Sequence, residues 1–301
     1  VRSGFATIVG RPNVGKSTLL NAIIGEKVTI TSSRPNTTRH QIRGVLTTNE
    51  TQVIFVDTPG LHRPKTALGN RLNEQAMDSF HDVDVIIALV EANNAIGPGD
   101  KMVLKRSLEV AARGGPRLLV AVNKVDAAGP AKTAEQLVKG LATLEEIAAG
   151  LGDAAVRVAQ NAEMFPISAK KGKGVDVLVK AVVASLDEGP AYYPAEMLSD
   201  QGAAEHIAEL VREQLLSRTR DELPHSIHCV VTEWEDKYVK VEILVERESQ
   251  KAIVIGKGGD LLKEVGTHVR SQLPEGTFLE LYVRVEKHWQ SRPEVLDRFG
   301  L

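Results

Sequence analysis

Residues Gly10 to Ser17, "GRPNVGKS", close an apolar run and open a helical stretch. The spacing G-x-x-x-x-G-K-S suits one chemistry, the wrapping of backbone amides around the oxygens of a polyphosphate. Gly10, Arg11, Pro12, Asn13, Val14 and Gly15 make the loop, and Lys16 brings positive charge to the β- and γ-phosphates. Ser17 offers its hydroxyl to Mg2+, and Thr18 stands in the first turn of a helix whose dipole favours anions. Such a pattern arises by chance in about one chain in a hundred, so the rest of the chain must decide. "VDTPG", Val56 to Gly60, ends a second apolar run. It puts Asp57 where a carboxylate can hold the Mg2+ shell, Thr58 and Pro59 in the turn, and Gly60 where an amide can meet a γ-phosphate. "NKVD", Asn123 to Asp126, ends a later run and carries Asn123, Lys124 and Asp126. A carboxylate at Asp126 can accept from N1–H and the exocyclic amine of guanine, whereas adenine offers an unprotonated N1 and no amine there. Sites built this way discriminate on the order of 10⁴-fold, because the wrong base strands buried polar groups. "SAK", Ser168 to Lys170, follows the last run and can present the Ala169 amide to guanine O6. Four motifs in this order predict a pocket for GTP and not ATP.

The elements that must position these residues are legible in outline. "FATIV", "VIFVD", "DVIIALV", "RLLVAVN" and "MFPIS" are near-continuous apolar runs of the kind buried in a parallel sheet. "QIRGVLTT" reads as an antiparallel edge partner of the second. Helical patterns fall near 16–25, 69–80, 99–113, 131–149 and 174–187, so the first half is expected to be an α/β sheet with helices on both faces. The proline- and glycine-bearing stretch from Asp187 to Gly202 predicts a linker. After it the order becomes helix, strand, strand, short helix, glycine loop, helix, strand. The expected division is 1–187, a linker over 188–203, and a second domain over 204–301.

Taken together, "GRPNVGKST", "NTTRH", "FVDTPGLH", "NKVD", "SAKKGKGVD" and "QKAIVIGKGG" resemble a translation-factor-type P-loop GTPase, and more narrowly the Era family of ribosome-assembly GTPases, over essentially the whole chain. The resemblance implies a mostly parallel α/β P-loop (Ras-like) GTPase domain. It makes Asn36 to His40 the first switch, with a threonine completing the Mg2+ shell beside Ser17 and Asp57: Thr38 by preference, Thr37 next. Leu61 stands where signalling GTPases carry the glutamine that orients water. Its side chain is expected to retract onto apolar surface, leaving backbone groups to place the water and unassisted turnover slow. Related GTPases with "PNVGKS" loops use the asparagine, here Asn13, to ligand K+; the alternative is that Asn13 only hydrogen-bonds within its loop. Lys16, Asn13, Thr38 and Gly60 are therefore the candidate catalytic groups.

"VIGKGG" fails as a second phosphate loop, having no G-K-[ST], and fails as a dinucleotide fingerprint, with Leu261 where a third glycine belongs. It does match G-x-x-G between two helices, in an α-β-β-α-α-β unit with the order of an α+β type II KH domain. Gly256, Gly258 and Gly259 let a nucleic-acid backbone approach, and Lys257 sits at the tip for a phosphate. Ile253, Ile255 and Leu262 would line a groove for about four nucleotides, with Lys251, Lys263 and Arg270 on its rim. From residue 201 on there are 14 Lys and Arg against 18 Asp and Glu, a net of −4, so no domain-wide basic footprint exists. Arg34, Arg39, Arg43 and "KKGK" at Lys170 to Lys173 could touch phosphate but are expected to be solvated surface, and Trp234, Tyr282 and Trp289 are expected to be core and edge packing and not stacking platforms.

The 301 residues, 43% hydrophobic and 25% charged with net charge −2, describe an ordinary globular chain of two domains. A single Cys229, expected to pack in a strand, excludes a disulfide framework and fits a reducing cytoplasm. The histidines lack metal-ligand spacing, and no zinc is expected. The longest apolar run is the six residues "VIIALV", too short for a membrane span. The chain enters "GFATIVG" soon after Val1, which reads as a trimmed start. The resemblance implies GTP and GDP, the 3′ end of 16S rRNA and the 30S subunit as partners, in the cytoplasm and peripherally on the inner face of the cell membrane; DNA is not expected. The rivals are a GTP-gated RNA-binding protein with negligible catalysis and a membrane-associated switch, for which no strong basic amphipathic helix is present.

Overall fold

Burial on both faces explains why the strands of the first half are so apolar. In chain order the elements are β1 (Arg2–Gly10), α1 (Lys16–Ile24), β2 (Ile42–Thr47), β3 (Thr51–Asp57), α2 (Ala67–Asp78), β4 (Val85–Glu91), α3 (Pro98–Ala111), β5 (Arg117–Asn123), α4 (Val125–Ala149), α5 (Asp153–Asn161), β6 (Glu163–Pro166) and α6 (Val175–Ala184). The strands lie in the order β2-β3-β1-β4-β5-β6, parallel throughout except for β2, which runs antiparallel to β3 as its sequence predicts. On one face Leu19 and Leu20 of α1 and Leu178 and Val182 of α6 pack with Ile8, Phe55 and Ile87. On the other, Leu104 and Leu108 of α3, Leu144 of α4 and Ala155 of α5 pack with Val9, Ile86 and Val120. Parallel strands present their carboxyl ends at one edge, where open α/β sheets bind ligands. Here that edge carries Gly10, Asp57, Glu91 and Asn123, with Asp57 in register with Ile8 and Glu91 with Asn123.

The computed structural model describes every residue except Pro35, Asn36, His62, Arg63, Lys65, Asp221 and Glu222. Contacts divide the chain into two units: Val1–Val28, Thr38–Arg63 and Leu72–Asp200 in the first, and Thr29–Thr37, Pro64–Arg71 and Gln201–Leu301 in the second. Within the first, two features depart from the sequence expectation. Helix α4 starts at Val125, because Val125 to Ala128 form a turn before Gly129 breaks it (φ 76°, ψ 169°) ahead of Pro130. Helix α5 was not foreseen in the glycine-flanked "DAAVRVAQN". The stretch over 188–200 runs extended against the sheet: Arg43 N–H and Asp200 meet at 2.9 Å, and Val45 N–H donates to Leu198 O at 2.9 Å. The buried Gln52 side chain accepts from Tyr193 N–H at 2.9 Å and donates to Tyr193 O at 2.8 Å. These bonds satisfy several of the polar groups that lie beside the sheet, where unpaired ones are costly.

The second unit contains α7 (Ala203–Arg218), α8 (Leu223–Ser226), β7 (His228–Glu235), β8 (Tyr238–Val245), α9 (Glu248–Ile255), α10 (Asp260–Arg270), β9 (Phe278–Val285) and α11 (Pro293–Arg298). Its sheet is β7-β8-β9, antiparallel then parallel. The expected order is present, with short α8 and α11 added. Leu210 and Val211 of α7, Val241 and Ile243 of β8, Val254 of α9 and Val265 and Val269 of α10 form the core, and Cys229 packs among them. Trp289 is fully buried, its indole N–H donating to Ser226 O at 2.9 Å. Trp234 and Tyr282 are not core residues: they are 45% and 49% exposed. Strand β9 alternates, turning Leu279 and Val283 inward and Phe278 and Tyr282 outward. Three polar contacts bring residues 29–37 into this unit. Thr31 N–H donates to Glu213 (2.9 Å), Arg34 donates to Thr219 O (3.0 Å), and Arg212, buried and ion-paired with Glu209, donates to Thr37 O. The surface expectation therefore fails for Arg39, while Arg34 is half-buried and Arg43 keeps an exposed side chain. Arg34 is bonded, Arg39 is 2% exposed, and Arg43 is paired with Asp200 at 3.2 Å.

Candidate functional site

The phosphate loop is a left-handed turn pressed against the base-reading turn. Asn13 has φ 65° and Gly15 φ 104°. A Cβ on Gly15 would lie 2.3 Å from the Asn123 amide nitrogen, so glycine is required by space as well as by backbone. That amide donates to Val14 O at 2.9 Å, and Lys124 Nζ donates to Asn13 O at 2.8 Å. Arg11 and Pro12 are half-buried, and Gly60 packs against Pro12. Thr58, buried behind the turn with Pro59, donates to Ile8 O at 3.0 Å. Thr18 lies in the first turn of α1.

Three oxygens converge beside this loop. Ser17 Oγ donates to Asp57 Oδ2 at 2.7 Å and lies 2.9 Å from Thr38 Oγ1, which in turn is 3.3 Å from Asp57 Oδ2. Asp57 Oδ1 is buried and has no hydrogen-bond partner among the described residues. Burial pushes the Asp57 carboxyl above its ordinary range, against the Lys16 charge and the bonds from Ser17 and Thr38. A hard cation with oxygen ligands would relieve that cost, so the donor set fits Mg2+. Thr37 instead turns its hydroxyl to Arg34 O at 2.7 Å, which separates it from the cluster. Asn36, the first residue of the switch segment, lies outside the described residues.

Lys16 is buried, its ammonium bonded to Gly10 O (3.3 Å) and Arg11 O (3.2 Å). Burial lowers its pKa to about 8, with the Asp57 carboxylate opposing and Arg11 adding to the effect. At the base end, Ser168 Oγ donates to Asp126 Oδ1 at 2.6 Å and holds that exposed carboxyl below its ordinary range. The Ala169 amide, expected to face guanine O6, donates to Asn123 Oδ1 at 3.0 Å, and Lys170 follows it exposed. Leu61 is retracted as its chemistry requires, 5% exposed in the core with Val9 and Val90.

One group escaped sequence reading. Glu91, the last residue of β4 and 4% exposed, takes Arg11 Nη2 at 2.8 Å, Lys124 Nζ and Asn94 Nδ2 on its carboxylate. The available signal was an acidic residue closing an otherwise apolar strand.

In the second unit, Gly256 (φ 79°), Gly258 (φ 63°) and Gly259 (φ 84°) make the turn between α9 and α10. Nothing lies within 4 Å of a Cβ built on Gly258 or Gly259, so the tip is open to a backbone from outside. Lys257, Lys263 and Arg270 are exposed, and Ile255 and Leu262 are half-buried against the core. Ile253 is 56% exposed, and Lys251 Nζ lies 5.8 Å from the Tyr282 ring centre.

A family profile described as a 50S ribosome-binding GTPase matches residues 5–124, and a KH-domain profile matches 222–290. The chain is 45% identical over 310 aligned positions to the GTPase Era of Mycobacterium avium, covering 99% of this chain and 98% of that one. The chain belongs to the Era family of GTPases. The Era of Mycolicibacterium smegmatis is 44% identical at the same coverage. A crystal structure of a substituted Aquifex aeolicus Era bound to GDP·AlF4− superposes with a TM-score of 0.88 at 37% identity, covering 100% of this chain and 99% of that one. Another, of Era with MgGDPNP and nucleotides 1506–1542 of 16S ribosomal RNA, superposes with a TM-score of 0.89 at the same identity and coverage. Membership bears out the fold expected from the Era resemblance, a mostly parallel α/β GTPase domain followed by a KH domain.

The lowered Lys16 pKa has a measurable consequence. Phosphate charge restores the ammonium, so GDP binding without Mg2+ is expected to take up nearly one proton at about pH 9 and far less at about pH 6.5. Calorimetry in two buffers of different ionisation enthalpy reads the uptake, and Lys16→Arg, which does not titrate, should show none. In the nucleotide-free protein the folded pKa lies below the unfolded one, so this group makes stability rise with pH between about 8 and 10.5.

Proposed function

We propose that the chain is a GTP-driven switch that binds and hydrolyses GTP with Mg2+ and grips single-stranded rRNA with its glycine loop. Residues 1–187 act as the GTPase domain, 188–203 as the linker and 204–301 as the RNA-binding domain. The observation that carries the nucleotide half is the buried Asp57 carboxylate, one oxygen of which has no hydrogen-bond partner among the described residues, beside Ser17, Thr38 and Lys16 at the edge where the base-reading turn also ends. Lys16 neutralises the β- and γ-phosphates, while Ser17, Thr38 and Asp57 hold Mg2+, which screens the charge of the transferring group. Water attacks the γ-phosphorus in line and the bond to the bridging oxygen breaks, with the Gly60 amide placed for a γ-oxygen. Leu61 is committed to the core and offers the water nothing, so turnover without a partner is slow. Asp126 reads the guanine edge, supported by Asn123, Lys124, Ser168, Ala169 and Lys170. The site expects Asp126→Asn to lower GTP affinity by about 10³-fold or more and to favour xanthosine triphosphate, whose O2 matches the new amide donor. Competition between the two triphosphates measures this; an unchanged preference for GTP contradicts the assignment.

Asn13 is the proposed K+ ligand, its backbone already fixed at φ 65° by the Lys124 bond to its carbonyl. Turnover should then be several-fold faster in K+ than in Na+ for the parent and insensitive to the cation for Asn13→Ala. Equal rates for the parent in both salts contradict the role.

For the RNA half, Lys251, Ile255, Gly256, Lys257, Gly258, Gly259, Lys263 and Arg270 are the proposed contacts. The related Era bound to nucleotides 1506–1542 of 16S ribosomal RNA supports the 3′ end of that RNA as the ligand and small-subunit (30S) maturation as the process. Gly258→Asp puts a carboxylate where a phosphate would lie and is expected to cut crosslinking to that RNA by at least about tenfold. Unchanged yield would remove the glycine loop from the interface. No described helix is long and apolar enough to cross a membrane. The cytoplasm is the proposed location, and vesicle flotation tests contact with the inner membrane face.

A further inference from the structure

The buried carboxylate of Glu91 joins two segments that the nucleotide motifs treat as separate. Its Oε2 is 2.8 Å from Arg11 Nη2 in the phosphate loop and also accepts from Asn94, and its Oε1 accepts from Lys124 Nζ in the base-reading turn. Each cation has a second anchor. Arg11 Nε is 3.1 Å from Asp100 Oδ1, whose other oxygen caps α3 at Gly97 N–H (3.0 Å), and Lys124 Nζ reaches Asn13 O at 2.8 Å. The Glu91 main-chain oxygen is itself fixed by Gln136 Nε2 of α4 at 2.9 Å. The carboxylate thus stands at the end of β4, in register with Asn123, with two cations on it and a rigid backbone behind it.

We propose that Glu91 is a positioning residue that sets the spacing between the phosphate loop and the guanine-reading turn, and so contributes to base selectivity as well as affinity. It holds the Arg11 guanidinium on Glu91 and Asp100, leaving the loop amides and Lys16 to meet the phosphates. It also fixes the Lys124 stem, two residues before Asp126. A neutral side chain of the same shape weakens one of the two anchors of each cation at once: Arg11 is left on Asp100 alone and can swing toward phosphate oxygens, and Lys124 is left on Asn13 O alone, so the turn carrying Asp126 is held less closely. Ordinary core packing at this position would do neither. A structural role would instead require only that the strand end be filled and its polar atoms satisfied.

This rests on the guanine-nucleotide reading above, so the parent protein is measured first for GDP binding and for preference of GDP over IDP, which lacks the exocyclic amine. Absence of either fails that reading, not the role of Glu91. With both present, Glu91→Gln is expected to speed release of fluorescent GDP by about 10- to 100-fold and to narrow the GDP-to-IDP affinity ratio by at least about threefold, both read under conditions where its urea transition shows it fully folded. Should Glu91→Gln fail to fold, Arg11→Gln, at a side chain 28% exposed, removes one arm of the bridge and is expected to speed GDP release and narrow the ratio in the same direction. Where both fold, the double variant should lose less than the two single losses combined. Unchanged GDP release, additive losses, or faster release with an unchanged GDP-to-IDP ratio would each overturn the proposal.

Discussion

Two side chains of one turn hold the phosphate loop open. Asn123 donates to Val14 O at 2.9 Å and Lys124 to Asn13 O at 2.8 Å, so the backbone of the loop cannot close on itself. Each such bond contributes about 1 kcal/mol net, but stranding its buried carbonyl would cost about 1–3 kcal/mol. The left-handed Asn13 and Gly15 follow from this clamp, because only that backbone aims the two carbonyls at β5 and leaves room for the Asn123 amide. So does the burial of Lys16, whose ammonium is satisfied by loop carbonyls and pays for its position with a lowered pKa. Base reading and phosphate binding become one rigid body at the sheet edge.

The second unit solves a different problem. A polymer must be gripped without a basic face, since the residues from 201 on sum to −4. Three glycines at positive φ create an open tip with one lysine, and an outward aromatic pair, Phe278 and Tyr282, lies on the neighbouring strand. Affinity built this way depends on local geometry more than on bulk charge. The chain itself supplies a route for control: Thr31 and Thr37 are bonded to α7, and the next residue, Thr38, contributes its hydroxyl to the oxygen cluster around Asp57.

How much was legible depends on whether local pattern or distant partners decided the outcome. The five buried strands, the edge strand β2 and the order of the second unit follow from apolar runs and turn residues, and their structure agrees. Leu61 was readable because leucine has no polar option, and Thr38 over Thr37 because of the motif. The break at Gly129 was not, since a turn of helix before Gly-Pro looks like a loop. Arg39 reads as surface charge, yet it is 2% exposed, a burial that no local pattern announces. Trp234 and Tyr282 go the other way: Tyr282 is on the outward face of the alternating strand β9, and Trp234 is on the exposed end of β7. Glu91 and the Ala169 amide belong to the same class, because the partners of both come from other strands or loops.

The account stands or falls on whether the nucleotide governs the RNA grip. The direct measurement is the affinity of the full chain for a fluorescent single strand carrying the 3′ end of 16S rRNA, in saturating Mg2+ with GDPNP and again with GDP. Coupling of ordinary size predicts tighter binding with GDPNP by about 5- to 150-fold, and a preference for GDPNP over GDP raised by the same factor when RNA is present. Equal RNA affinity in the two nucleotide states would contradict it.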